Sequence, residues 1–101
     1  MSYQLLYSPS ALRDLDRIWA EVYSASQERG IAGAYVDGLM KAVAQKCNFP
    51  LSGTPLYYDG RFTGYYFVVF KAYIAFYRVQ DESVFVDRVL FGKSDYMRKL
   101  F

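Results

Sequence analysis

Histidine is absent from this 101-residue chain, and cysteine occurs once, at Cys47. A lone cysteine forms no internal disulfide, which suits a reducing cytosol. Cys47 has no histidine to serve as its base and closes an apolar helical pattern. It reads as core filler rather than as a reactive thiol. Charge of one sign is also scarce: 12 Lys and Arg against 10 Asp and Glu leave +2. By itself that is too little to argue for a nucleic-acid partner. No apolar run approaches the roughly 20 residues that span a bilayer. Met1–Tyr7 lacks the basic region and long apolar core of a secretory signal. There is no internal repeat and no low-complexity segment. The length is that of one domain, residues 1–101, and suffices to bury a core without staples.

Aromatic residues, by contrast, are abundant. They make up 20% of the chain, and Tyr leads with 11. They concentrate between Gly64 and Lys93, where three runs of aromatic and β-branched residues are separated by short breaks. Such side chains fit a pleated, half-buried surface. The pattern predicts strands over Tyr65–Phe70, Tyr73–Val79 and Val84–Phe91, paired antiparallel as a meander because the breaks are short. Gln80-Asp81-Glu82-Ser83 is an ordinary polar turn. Lys71-Ala72 is odd, because tight hairpin turns favour Gly, Asn or Asp where φ is positive.

Upstream, Tyr3–Tyr7 reads as a first strand whose place in the sheet is not derivable. Ser8 can cap the next helix, with Pro9 in its first turn. Leu12, Leu15, Ile18, Trp19 and Val22 then recur at helical spacing, predicting a helix to about Gln27 with Trp19 as a core anchor. Gly30 is expected to supply the left-handed residue that stops it. A second helix follows over about Ile31–Lys46, with Ile31, Ala34, Tyr35, Leu39, Ala42 and Val43 as its buried stripe. Ala34, Gly38 and Ala42 form a ridge of small residues where another backbone could approach. The two helices should make an antiparallel hairpin. Phe49 to about Thr63 reads as a loop plugged by Leu51 and Leu56, with a turn at Asp59-Gly60. After Gly92, Ser94 could cap a final helical turn. The order β-α-α-β-β-β predicts an α+β domain, a helical hairpin on a mostly antiparallel four-stranded sheet whose other face is partly solvated.

Within this order, the strand Tyr-Ile-Ala-Phe-Tyr-Arg-Val, the Asp-Glu turn, the strand Val-Phe-Val-Asp-Arg-Val-Leu and the ending Phe-Gly-Lys-Ser-Asp-Tyr stand together. This conjunction, specific over Tyr65–Tyr96, resembles the RelE/ParE superfamily of bacterial type II toxins. The Asn-Phe-Pro loop leading to Gly53 is similar to the family's Pro-rich connector. The resemblance implies a growth-inhibiting cytoplasmic toxin with a cognate antitoxin as partner, no cofactor, no metal and no membrane. RelE-like members cleave mRNA on the ribosome; ParE-like members poison DNA gyrase and lack the nuclease residues.

Cleavage by a ribose 2′-hydroxyl needs a base or its electrostatic equivalent, cations on the phosphate and an acid for the leaving oxygen. The nuclease branch places Lys and Arg on the first two meander strands. Here Tyr65–Phe70 carries no cation, Ile74 stands where an Arg is expected, and Ser94 interrupts the basic pair after Gly92. If the chain is a nuclease, the resemblance leaves Arg88, Lys93 and Tyr96 as the catalytic candidates. If it only binds, Arg61, Arg78, Asp95 and Tyr96 are the candidates for contacting target or antitoxin. Arg78 and Arg88 could instead pair with Asp87 or Asp95 on the wet face of the sheet. Gyrase inhibition is the favoured reading; ribosome-dependent mRNA cleavage and a non-toxic α+β binding module are the alternatives.

Overall fold

The structure, a computed structural model, describes residues 3–101. Its elements run β1 (Gln4–Tyr7), α1 (Pro9–Ser26), α2 (Arg29–Ala44), β2 (Thr54–Tyr58), β3 (Arg61–Phe70), β4 (Tyr73–Gln80), β5 (Ser83–Phe91) and α3 (Tyr96–Leu100), with single 3-10 turns at Gln45–Cys47 and Pro50–Ser52. The sheet has five strands in the order β1-β5-β4-β3-β2. The meander β3-β4-β5 is antiparallel, as expected, and β1 joins it parallel to β5.

One strand more is present than the sequence reading anticipated. Thr54–Tyr58 is an edge strand antiparallel to β3, and β3 itself begins at Arg61 rather than Tyr65. Pro55 hides it, because proline disrupts a strand pattern and is tolerated only at an edge or bulge. The turn between them is Asp59-Gly60, and both residues have positive φ, 54° and 76°. That is the chemistry of a two-residue hairpin rather than of a turn inside a loop.

α1 starts where the sequence places it. The Ser8 side chain accepts from the Ala11 amide at 2.9 Å, with Pro9 in the first turn. The helix ends at Gln27, which takes the left-handed conformation itself (φ 59°). Gly30 therefore lies inside the first turn of α2 and does not stop α1. The two helices pack on one face of the sheet. Ala11, Leu15, Ile18, Leu39 and Val43 meet Tyr73, Ala75, Tyr77, Val84, Val86 and Val89 there, and Cys47 lies in the same core. Leu12 and Ile31, expected in the buried stripes, are exposed, and Trp19 is only half-buried, stacked on Tyr23 at 5.3 Å. The core-facing side of α2 is set by Ala32, Leu39 and Val43. The small ridge meets a side chain at Gly38 rather than another backbone: the Phe70 ring fills the space a Cβ would take there, and Ala34 is exposed. Leu56 plugs the connector, whereas Leu51 is 66% exposed.

A polar arrangement fixes α1 against β5. β1 pairs with β5 only as far as Tyr7↔Val86. Beyond that point the side of β5 turned away from β4 has no strand beside it among the described residues. The Ser8 hydroxyl donates to the Asp87 carbonyl at 2.7 Å, and the Asp14 carboxylate accepts from the Val89 amide at 2.9 Å. Arg17 donates to the Val89 carbonyl at 3.4 Å. Side chains at the start and in the first turns of the helix thus bind the Asp87 carbonyl and both backbone groups of Val89 where a strand would otherwise have paired.

Candidate functional site

The face of the sheet turned away from the hairpin carries a second, smaller cluster. Leu56, Phe76 and Leu90 are buried in it, with Tyr65, Phe67, Ile74, Tyr96, Met97 and Leu100 around them. Strand alternation explains the set: Tyr65, Phe67, Ile74 and Phe76 project opposite to the residues that meet the helices. α3 lies on this face, and the Tyr96 ring rests 5.2 Å from that of Phe76.

The polar part of the face is a network centred on Asp87. β5 is bulged opposite Phe76 and Tyr77, so that Asp87 is the residue without a partner across the ladder. Bulges re-aim a side chain in this way. Its carboxylate accepts from the Tyr65 hydroxyl at 2.6 Å and from Arg78 at 2.9 and 3.3 Å. Burial, then the hydrogen bond and charge of Asp87, push the Tyr65 phenol up to about 12 against a smaller opposing effect of Arg78. At neutral pH Tyr65 is therefore a donor and not a base. The Arg78 guanidinium lies 5.2 Å over the Phe85 ring.

The structure does not gather the three catalytic candidates. Arg88 turns toward α1 and holds Asp14 through Nε at 2.8 Å and Nη2 at 3.0 Å. Asp14 is 2% exposed. Burial would raise its pKa, but the hydrogen bonds from Arg88 and the Val89 amide and the charges of Arg88 and Arg17 overcome this and hold it below the ordinary value. Lys93 is exposed, and Tyr96 sits among apolar side chains. No hydrogen bond, ion pair or ring contact joins the three among the described residues. The binding candidates are also dispersed. Arg78 belongs to the Asp87 network, and Asp95 lies 3.9 Å from Arg98 with both side chains exposed. Arg61 lines a cleft of about 590 Å³ between the β2–β3 hairpin and α3. Among the described residues no group of three Cys, Asp or Glu side chains converges as metal ligands would.

Two surfaces went unnoticed in the sequence. One is the aromatic cleft at Arg61, built by Tyr58, Phe62 and Phe101. The other is a groove of about 450 Å³ between α1 and α2, lined by Leu12, Leu15, Asp16, Trp19, Val36 and Met40. An excess of apolar positions around α1, with Leu12 and Trp19 two turns apart along one edge of the stripe, is the available signal for the groove. For the cleft there was only the Asp59-Gly60 hairpin signature.

No curated protein matches the chain in sequence. Among solved structures, the chromosomal ParDE TA system from P. aeruginosa matches with a TM-score of 0.74 at 17% identity, covering 89% of this chain and 96% of that one. The toxin–antitoxin complex RelBE2 from Mycobacterium tuberculosis matches with a TM-score of 0.61 at 24% identity, covering 90% and 99%. These likenesses establish a shared fold. The sequence profile described as ParE toxin of type II toxin-antitoxin system, parDE, matches residues 5–96, nearly the whole sheet-and-hairpin unit, and the chain belongs to that toxin family.

Proposed function

We propose that this protein is a growth-inhibiting toxin that acts by binding rather than by cutting RNA, with DNA gyrase as its target and a cognate antitoxin as its neutralising partner, acting in the cytoplasm. The observation that carries this reading is the environment of Tyr96. Its ring lies 5.2 Å from that of Phe76 and packs on the apolar cluster of Leu56, Phe76 and Leu90, where a phosphate-cleaving site needs converging cations. Arg88, the nearest thing to a strand-borne catalytic cation, is engaged with a buried carboxylate, and releasing it would leave Asp14 only the half-exposed Arg17 as counter-charge. Family membership supports an antitoxin partner, as does the presence of toxin–antitoxin assemblies among the similar structures. The α1–α2 groove suits the apolar face of an antitoxin helix. Of the polar candidates, Arg61 is offered to a partner, whereas Arg78 is held by Asp87.

The test is induction of the chain in bacteria with and without the gene beside its own. Growth arrest that the neighbour relieves is the expected result. Normal growth at good soluble expression would remove the proposal.

A further inference from the structure

The cleft between the β2–β3 hairpin and α3 combines three features. Its walls are aromatic and exposed: Tyr58, Phe62 and Phe101 are 62%, 46% and 64% exposed, and the Tyr58 and Phe101 rings pair with each other, centroids 6.4 Å apart, with their outer faces in water. Its charged side chains are of one sign: Arg61 and Arg98 line it and no Asp or Glu side chain does. Its remaining polar side chain is engaged, since the Thr63 hydroxyl donates to the Leu56 carbonyl and accepts from the Tyr65 amide. Arg61 forms no ion pair among the described residues. Arg98 meets only Asp95, at 3.9 Å with both side chains largely in water, a contact worth little.

We infer that this cleft receives an acidic polypeptide segment that lays one aromatic side chain against the exposed rings and sets its carboxylates on Arg61 and Arg98. Guanidinium forks match carboxylates in a planar, bidentate way, and aromatic pockets anchor aromatic side chains. A polynucleotide fits less well, because backbone binding needs a track of cations and the cleft offers two. Strand addition at β2 is also disfavoured, since Pro55 and the register shift between Pro55 and Tyr57 interrupt that edge. A volume of about 590 Å³ accommodates one large side chain with its flanking residues. The inference extends the proposed function by naming the chemistry that Arg61 meets. It is tested by direct binding, so it can fail while growth arrest stands and stand while growth arrest fails.

The experiment is an NMR titration of the purified chain with three probes: the peptide acetyl-Glu-Asp-Trp-Glu-Asp-amide, its Lys-for-acid counterpart, and ADP. The acidic peptide is expected to shift the cleft resonances, at least tenfold more tightly than either other probe, and to weaken as salt rises. The double variant Arg61→Glu/Arg98→Glu should lose at least tenfold for the acidic peptide and gain affinity for the basic one, which a misfolded variant could not do. Unchanged affinity in the variant, tighter binding of ADP, or no shift in the cleft overturns the inference. Cleft shifts produced by raising protein concentration alone would also overturn it, by making the occupant a second copy of the chain.

Discussion

Replacing Asp14 with Ala is the most informative single change for the fold. The carboxylate accepts from Arg88 twice, from the Val89 amide at 2.9 Å and from Arg17 at 3.1 Å. Without it, a guanidinium whose side chain is 26% exposed loses its counter-charge, and a buried backbone amide loses its acceptor. Breaking a buried ion pair costs about 3–5 kcal/mol. Partial exposure of Arg88 argues for the lower end, and the orphaned amide adds about 1 kcal/mol, so the expected loss is about 4 kcal/mol. A domain of this size has about 5–15 kcal/mol of stability in all. The midpoint should fall by about 16 °C or more in thermal unfolding followed by circular dichroism. Asp14→Asn keeps an acceptor for Val89 and should lose less, about 2 kcal/mol. In Asp14→Ala/Arg88→Met the unpaired charge is gone, so about half the loss should return while the orphaned amide remains. The pH dependence follows from the lowered folded pKa. The Asp14 contribution is fully present above the ordinary carboxylate value of 3.8 and is lost as pH falls through the depressed folded value, a loss absent from the Ala variant. A double variant as unstable as Asp14→Ala would refute the charge argument.

Other consequences are equally checkable. The Tyr7 hydroxyl is buried without a hydrogen-bond partner among the described residues, and burial followed by the proximity of Cys47 pushes it up to about 12. Tyr7→Phe should leave urea stability unchanged or raise it by about 1 kcal/mol, and a clear loss would mean the hydroxyl is satisfied. A side chain at Gly53 would overlap the Tyr77 hydroxyl, which accepts from the Gly53 amide at 3.1 Å and donates to the Pro50 carbonyl at 2.7 Å. Gly53→Ala should therefore cost about 2 kcal/mol, part of it recovered in Gly53→Ala/Tyr77→Phe; an unaffected midpoint would contradict this packing. Trp19→Glu at the mouth of the α1–α2 groove should weaken antitoxin binding by about 30-fold in calorimetry while growth arrest persists. Wild-type affinity would place the antitoxin elsewhere.

The meander was readable because Tyr65–Phe91 obeys one local rule, aromatic and β-branched runs between short breaks. Its odd turn survives for a local reason as well. Lys71 takes a positive φ of 52°, with its ammonium 5.0 Å over Tyr35 and 5.4 Å over Phe70, so cation–π contacts offset the strain. What sequence could not show is what depends on partners far along the chain. β1 lies beside β5 because Tyr7 meets Val86, a pairing across most of the chain length that no local pattern encodes. Arg88 faces Asp14 rather than Asp87 because of the bulge in β5, whereas Arg78 takes Asp87 on the other side. Two arginines with similar strand contexts therefore have different tasks. The aromatic cleft depends on a hairpin that Pro55 disguised and on where α3 folds back, so its residues, Tyr58, Phe62, Met97 and Phe101, look unrelated in sequence.

The central claim is binding without RNA cleavage, and one side-by-side assay addresses it. Purified chain is added to DNA gyrase with relaxed plasmid, and in parallel to ribosomes stalled on mRNA. Blocked supercoiling with intact mRNA is the predicted outcome. Normal supercoiling together with mRNA cut inside codons would contradict it.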